Sequence, residues 1–499
     1  MRHPAALLAT ALLPLIALST AGTAFASGGG SGPVRLSGPS PFAGCAPGAA
    51  DGLMAEGAIE PGLASDPSRP GLMAAVWPQD RQRGLVVAVT KDGGRTWKRS
   101  VVPGLTRCSE GHFDYVDESA VTFTGDGGLV VSGGLFMADG SDSAGLSVRS
   151  DDDGATWAAP AVIAREPDPA EGGVAAGPVV VDPRTPRVMY AVTPRFPATE
   201  RSRNQALIAR SSDGGRTWQS PHLVVDSGEG HMVSGHRLSV LPDGTLVDVY
   251  TLIRFGGPVL SVHATRSTDG GRTWSAPVKV SDLRTKWLFQ DPESGEQVSH
   301  TTSLLSDSGV DPRTGRMYAA WQDARFSAGA ADGVALSSSG DGGRTWSEPV
   351  KVNRTPAGIP AAHQQAFTVS LDVARDGTVG VAYSDFRHND ARAPLFTDRW
   401  LVRCRPLASA AGGCHLPTAG TDRGSARWKE TRLTPESFDM RQAPRIPDAG
   451  SPRGYFLGEQ MGLAATGRGF AAAWAVPDAP GSAAVYVRPA AWYRGVRES

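Results

Sequence analysis

The 499-residue chain sets 50 Asp and Glu against 49 Lys and Arg, a formal net charge of -1, and so lacks the basic footprint that nucleic-acid binding needs. Its 61 Gly and 38 Pro, about a fifth of the chain, exclude a bundle of long helices. A 40% hydrophobic content excludes a disordered chain, which leaves many short strands joined by turns. Only six of the 49 basic residues are Lys, so the positive charge rests almost wholly on guanidinium groups.

Residues 1–26 read as a signal peptide. Arg2 gives a positive start, an apolar stretch interrupted by Pro14 runs through 7–18, and Ala24-Phe25-Ala26 forms an A-x-A cleavage site. The expectation is a secreted, extracellular chain beginning near Ser27. The apolar run is short for a membrane span, and no later stretch reaches about 18 apolar residues, so no membrane partner is expected after cleavage. Residues 27–52, rich in Gly, Ser and Pro, read as a flexible leader, and 53–499 as the folded body. Four cysteines, Cys45, Cys108, Cys404 and Cys414, suit an oxidising compartment and two disulfides. Three pairings are possible. The sequence proximity of Cys404 and Cys414 favours a local bridge, leaving Cys45 with Cys108.

Two interleaved repeats organise the remainder. The first, [S/T]-x-D-x-G-x-T-W, occurs at 90–97, 150–157, 211–218, 267–274 and 339–346, and a period near 60 signals a repeat architecture. In each box the Asp fixes a tight turn, the Gly supplies positive φ, and the Trp folds its apolar face under the hairpin. The second repeat is a D-P or D-G turn between two apolar runs, at 66–67, 125–127, 182–183, 242–244, 311–312, 376–377 and 467–469. One unit therefore reads strand, turn, strand, long loop, strand, box, strand, which is one four-stranded antiparallel blade. The sixth unit lacks the box and takes 400–405 and 426–433 as its outer strands. The seventh runs out of chain; its last strand comes either from 492–496 or from the segment before Glu60.

These boxes resemble the Asp-box (BNR) repeats of the sialidase, or neuraminidase, superfamily, over roughly residues 60–490. The resemblance and the turn count together predict an all-β fold: a single β-propeller, with seven blades favoured and six, the number in sialidases, as the alternative. In a propeller the loops joining strands one–two and three–four share one face. The loops joining strands two–three, and each blade to the next, share the other. By that parity Asp92, Asp152, Asp213, Asp269 and Asp341 are structural residues of the bottom face, and a ligand site belongs on top, at the central funnel. The long top connections hold the chemistry: 107–118, 226–237, 282–307, 353–365 and 434–460.

Sialidases are similar in needing an Arg cluster, a Tyr nucleophile helped by a Glu, and an acidic proton donor. The resemblance places the catalytic roles on Tyr455 with Glu459, or on Tyr115 with Asp117 and Glu118. Arg81, Arg325 and Arg387, each close behind an aromatic and an Asp, are expected to converge with Arg237 and Glu60 on the substrate, because a guanidinium grips a carboxylate with two parallel hydrogen bonds. Where the family's Phe/Tyr-Arg-Ile-Pro motif should open the first blade, this chain has Glu60-Pro61-Gly62-Leu63. Its Arg445-Ile446-Pro447 comes only before the seventh.

The resulting expectation is a monomeric sialidase-like glycoside hydrolase that removes a terminal sugar from a glycan, in the manner of an exo-α-sialidase. Its rival is a non-catalytic propeller binding glycans or a protein partner at the same funnel. No metal or other cofactor is expected: His231, His236, His300 and His363 lie on the top face without His-x-x-x-His spacing. Mapping of non-reduced peptides should return the Cys404–Cys414 and Cys45–Cys108 pairs; free thiols or a crossed pairing would contradict the cysteine reading.

Overall fold

In a computed structural model, residues 24–26, 32–45, 57–80, 83–196, 204–254, 260–285, 289–298, 305–390, 394–406, 426–445 and 454–491 are described. Runs of small and branched apolar residues make the central strands. Met73–Gln79 and Gly84–Thr90 are buried along their whole length, as strands covered on both faces must be.

Such pairs recur in seven antiparallel sheets, each with four main strands and three of them with a short fifth, stacked as the blades of one β-propeller. From the axis outward the first blade is Gly62–Ser65, Met73–Gln79, Gly84–Thr90 and Thr96–Val101. The second is Tyr115–Phe123, Leu129–Phe136, Ser143–Ser150 and Ala161–Glu166. The third is Val179–Val181, Met189–Phe196, Gln205–Ser211 and His222–Asp226. The fourth is His231–Val240, Leu246–Arg254, Leu260–Ser267 and Val278–Leu283. The fifth is Asp307–Val310, Met317–Asp323, Gly333–Ser339 and Val350–Lys351, and the sixth is Ala366–Val373, Val379–Asp385, Phe396–Pro406 and Ala426–Arg432. Helix among the described residues is confined to four short 3-10 turns. The apolar core lies between blades: Val247 and Val249 of the fourth pack with Met317, Ala319 and Trp321 of the fifth.

The seventh blade, Gly462–Thr466, Gly469–Ala479 and Ser482–Ala491, takes its outermost strand from the start of the chain: Val34–Arg35 pairs with Val487 and Tyr486. Of the two closures expected, the N-terminal one is the one observed. Of the segment 27–52, the described residues 32–45 pack against the blades. Leu36 and Phe42 are buried, and a side chain on Gly84 would overlap the Phe42 ring. A Cys45–Cys108 disulfide ties the segment to the connection between the first two blades. Cys404 is also disulfide-bonded; its expected partner Cys414 lies outside the described residues.

The five boxes share one hydrogen-bond scheme. In the fourth blade the Ser267 hydroxyl donates to Asp269 Oδ1 at 2.8 Å and accepts from the Gly271 amide at 2.9 Å. The Thr273 hydroxyl donates to Asp269 Oδ2 at 2.6 Å. That hydroxyl and the Thr273 amide hold the Asp269 carboxyl down at about 2, so the turn stays charged and intact well into acid. Trp97 is buried, whereas Trp157, Trp218, Trp274 and Trp346 are half-buried, each wedged against a core between blades.

Arginines close the seams on the bottom face. In the D-P turns of the first, third and fifth blades, Asp66, Asp182 and Asp311 accept from nearby backbone amides. The following Arg reaches the next blade: Arg69 Nη2 donates to Gly127 O at 3.0 Å, Arg184 Nη1 to Asp243 O at 2.6 Å, and Arg313 Nη2 to Asp376 O at 2.7 Å. At the alternate seams the donor precedes a box: Arg149 Nη1 donates to Gly214 O at 2.8 Å and Arg266 Nε to Gly342 O. Gly244, at φ 86° and pressed against Arg184, has no room for a side chain.

Trp218 Nε1 donates to Ser147 Oγ of the preceding blade at 2.9 Å. Trp218→Ala should lower stability in urea by about 2–3 kcal/mol, less than loss of a fully buried Trp would cost. It should leave ligand binding on the opposite face unchanged; altered ligand selectivity in a folded Trp218→Ala protein would contradict this assignment.

Candidate functional site: an acidic funnel on the top face

The innermost strands of the second, fourth and sixth blades are each broken near the top by a bulge. The register shifts between Asp117 and Ala120, between Ser234 and Arg237, and between Phe367 and Ser370. The residue at each break takes positive φ: Glu118 at 50°, Gly235 at 64° and Thr368 at 54°. Glu60, just before the first innermost strand, has φ 51°. A bulge re-aims the side chains beside it. A left-handed Glu or Thr costs about 1–3 kcal/mol and persists only where its surroundings over-determine it.

These breaks bring four expected residues together. The Glu60 carboxylate accepts from the Glu459 amide at 2.8 Å. Its Cγ fills the space that a side chain on Gly458, at φ 120°, would need. Asp117, Glu118 and Glu459 lie close enough to act on one another's charge. The Glu118 amide donates to Asp117 Oδ1 at 2.9 Å. Burial raises the Glu60 carboxyl well above its usual range, and the charges of Asp117, Glu459 and Glu118 push it the same way. Burial, then the charges of Asp117 and Glu459, lift Glu118 to about 8 against the pull of Arg237.

Arg237 also stands where expected. It bridges blades, donating from Nε to Asp307 at 3.1 Å and from Nη2 to Gln460 at 2.7 Å. Beneath it, burial outweighs the Arg237 charge and raises the Asp307 carboxyl. Burial lifts Asp372 to about 6.

Tyr455 occupies a second cluster. The 282–307 connection sends out a hairpin, Phe289–Gln290 paired with Gln297–Val298, whose turn meets the loop before the seventh blade. The Tyr455 hydroxyl donates to Glu296 Oε2 at 2.8 Å and accepts from Arg445 Nη2 at 2.9 Å. The Arg445 guanidinium lies 4.6 Å from the Tyr455 ring centroid and pairs with Glu296. Arg441 pairs with Asp291 at 2.5 Å, and His363 and Asn389 reach Glu293 at 3.0 and 2.8 Å. The Tyr is therefore partnered by Glu296, a residue that sequence spacing did not single out for that role. Tyr115, the other candidate, stacks on Phe136 of its own blade at 5.3 Å.

The convergence expected of Arg325 and Arg387 does not occur. Arg325 pairs with Asp323 at 2.8 Å and donates to Ser281 Oγ on the outermost strand of the fourth blade at 2.9 Å. Arg387 pairs with Asp385 at 2.7 Å and with Glu430, on the outermost strand of the sixth, at 2.8 Å. It also lies 3.7 Å from the Trp400 ring centroid. Loop parity fixes which face a residue occupies but not its distance from the axis. In both triplets the Asp two positions earlier captures the guanidinium on its own side of the ring. Arg81 lies outside the described residues. Among the described residues no group of three or more His, Cys, Asp or Glu is arranged to hold a metal.

A family model described as a BNR repeat-like domain matches residues 129–301. A sialidase from Bacteroides fragilis (strain YCH46) is 25% identical over 208 residues, 35% of this chain and 35% of its own length; the match thus spans about a third of that relative. Among solved structures, an ulvan lyase, a polysaccharide lyase, aligns with a TM-score of 0.50 at 12% identity, over 88% of this chain and 94% of its own. An α-L-arabinanase of Penicillium chrysogenum complexed with arabinobiose aligns with a TM-score of 0.46 at 16% identity, over 70% and 93%. At such identities the structural likeness concerns the fold alone.

A carboxyl whose protonation point is about 8 in the fold and near 4.3 in the unfolded chain holds its proton more tightly when folded. Stability is then lost as pH rises from about 4 to about 8. Glu118→Gln removes that dependence. It should raise the melting temperature by about 2–4 °C at pH 8 and leave it unchanged at pH 4. Equal shifts at both pH values would show that Glu118 is not the buried acid described.

Proposed function

We propose that this chain, a BNR-repeat β-propeller of the sialidase superfamily, is a secreted glycoside hydrolase that removes a terminal sugar from a glycan at the top of its funnel. The observation that carries the reading is Glu118, re-aimed into the funnel by a bulge and held protonated at neutral pH beside the charges of Asp117 and Glu459. Neighbouring carboxyls whose environments push their protonation apart are the usual apparatus of acid-assisted glycoside cleavage. In this scheme Glu118 donates its proton to the leaving oxygen as the glycosidic bond breaks. The charges of Asp117 and Glu459 stabilise the electron-poor sugar carbon, and one of the two carboxylates takes a proton from the water that attacks that carbon, so the released sugar carries the water's hydroxyl. Burial pushes the neighbouring Glu60 carboxyl the same way, and Arg237 fixes the wall through Asp307 and Gln460.

Exo-α-sialidase action is the narrower reading, supported by Tyr455. A phenol that donates to a carboxylate and lies beside a guanidinium is the form a Tyr nucleophile takes for an anionic sugar. The likeness to the B. fragilis sialidase points the same way. The local pairing of Arg325 and Arg387 counts against it, because neither is free to receive a substrate carboxylate.

A panel of fluorogenic glycosides, one of them an α-sialoside, tests both readings. Turnover should fall by about 10²–10⁴-fold in Glu118→Gln, and the wild-type rate should decline above pH 8 as that proton is lost. Tyr455→Phe should abolish sialoside cleavage if the narrower reading holds and spare neutral glycosides if it does not. Glycan binding with no turnover of any glycoside would make the protein a non-catalytic lectin-like propeller.

A further inference from the structure

Beside the acidic floor, between the second, third and fourth blades, lies a pocket open to solvent. One wall is apolar, with Ala176, Pro178, Phe196 and Met232; the other is polar, with Glu118 and His236. A sugar ring has the same two-sided character, with C–H groups on its faces and hydroxyls around its edge. Aromatic and aliphatic walls cover the first, and a few fixed polar groups orient the second.

His236 is the group that nothing so far explains. It is 6% exposed, and Asp248 is fully buried, the lone carboxylate of the largely apolar strand Leu246–Arg254. His236 Nδ1 and Asp248 Oδ2 are 2.7 Å apart. The ring is stacked on Tyr250 at 5.3 Å, which itself stacks on His263 at 5.9 Å. With Nδ1 held by Asp248, the other ring nitrogen, Nε2, is left to hydrogen-bond elsewhere. That atom is buried and has no hydrogen-bond partner. A buried polar atom without a partner calls for an explanation, and here it belongs to a side chain that lines the pocket, on the far ring edge from Asp248.

We propose that this pocket is a subsite for an uncharged sugar ring, in which His236, oriented by Asp248, hydrogen-bonds a ring hydroxyl through Nε2 while Phe196 and Met232 cover the C–H face. An uncharged ring is favoured because the nearest guanidinium, Arg237, is already engaged by Asp307 and Gln460, and the adjoining floor is acidic. The proposal deepens the hydrolase reading, placing one sugar of the glycan next to Glu118. His236 acts here as a binding residue and Asp248 as a positioning residue.

The test is titration calorimetry of the full chain with galactose, arabinose and, as the charged comparison, N-acetylneuraminic acid. At least one neutral sugar should bind more tightly than N-acetylneuraminic acid. His236→Asn retains a donor towards Asp248 but has nothing at the Nε2 position, and should weaken that binding at least tenfold. His236→Gln, whose amide reaches the Nε2 position, should recover part of the loss. Phe196→Ala, at an exposed position of the wall, should weaken binding independently and without unfolding risk. No binding of either neutral sugar, or binding indifferent to both His236→Asn and Phe196→Ala, overturns the subsite. Failure of the hydrolase reading looks different: neutral-sugar binding sensitive to His236 with no glycoside turned over leaves the subsite standing. Turnover lost in Glu118→Gln but unchanged in kcat and KM in His236→Asn removes the subsite and leaves the hydrolase.

Discussion

The ring depends on guanidinium groups that cross from one blade to the next. Each blade buries its two faces only against its neighbours, so the assembly is as strong as its seams. Apolar packing is non-directional and does not by itself fix the angle between two stacked sheets. An arginine that spans the gap and donates to a specific carbonyl does. Arg69, Arg184 and Arg313 bind turn carbonyls of the following blade, and Arg149 and Arg266 bind box carbonyls of theirs. Arg488 closes the sixth seam on Arg432 and Leu433 carbonyls at 3.1 and 2.8 Å. A planar fork with five donors suits this task and a lysine does not.

With the bottom face fixed in this way, the top is free to hold strain. Bulges appear in the innermost strands of alternate blades and turn Glu118 and His236 towards the cavity at the axis. The result is a funnel of carboxyls whose burial favours the protonated form, balanced by the engaged guanidinium of Arg237. The Tyr455–Glu296–Arg445 cluster sits in a separate layer that packs with Ile59, Phe456 and Leu457, and the Glu60 amide bonds to the Leu457 carbonyl at 3.2 Å. The two clusters are thus coupled through adjoining backbone.

The architecture was legible because the boxes and D-P or D-G turns are local devices: each works within a few residues, so each leaves its mark in the sequence. Loop parity carried that reading as far as Glu60, Asp117, Glu118, Glu459 and Arg237. It failed for Arg325 and Arg387 because the radial position of a loop depends on how far its strands run from the axis. Glu296 was hidden as the partner of Tyr455, since 159 residues and two blades separate them. Asp248 did leave a trace, a lone carboxylate in the apolar run Leu246–Arg254. That pattern marks a buried charge needing a partner, but it does not name His236.

The strand Val34–Arg35 has a partner at Tyr486 and Val487, some 450 residues later in the chain. During synthesis the first edge of the ring is therefore made long before the strand it joins. Six blades have emerged before the seventh can receive it. Bringing together such distant segments carries a large loop-closure entropy and makes the final step slow. Cys45 and Cys108 shorten the search. Once oxidised, their bridge holds the waiting segment beside the first two blades, so it stays near the gap that the last strands enter. The order of oxidation and chain completion thereby becomes part of how the molecule matures: a chain kept reduced would have to find its own beginning unaided.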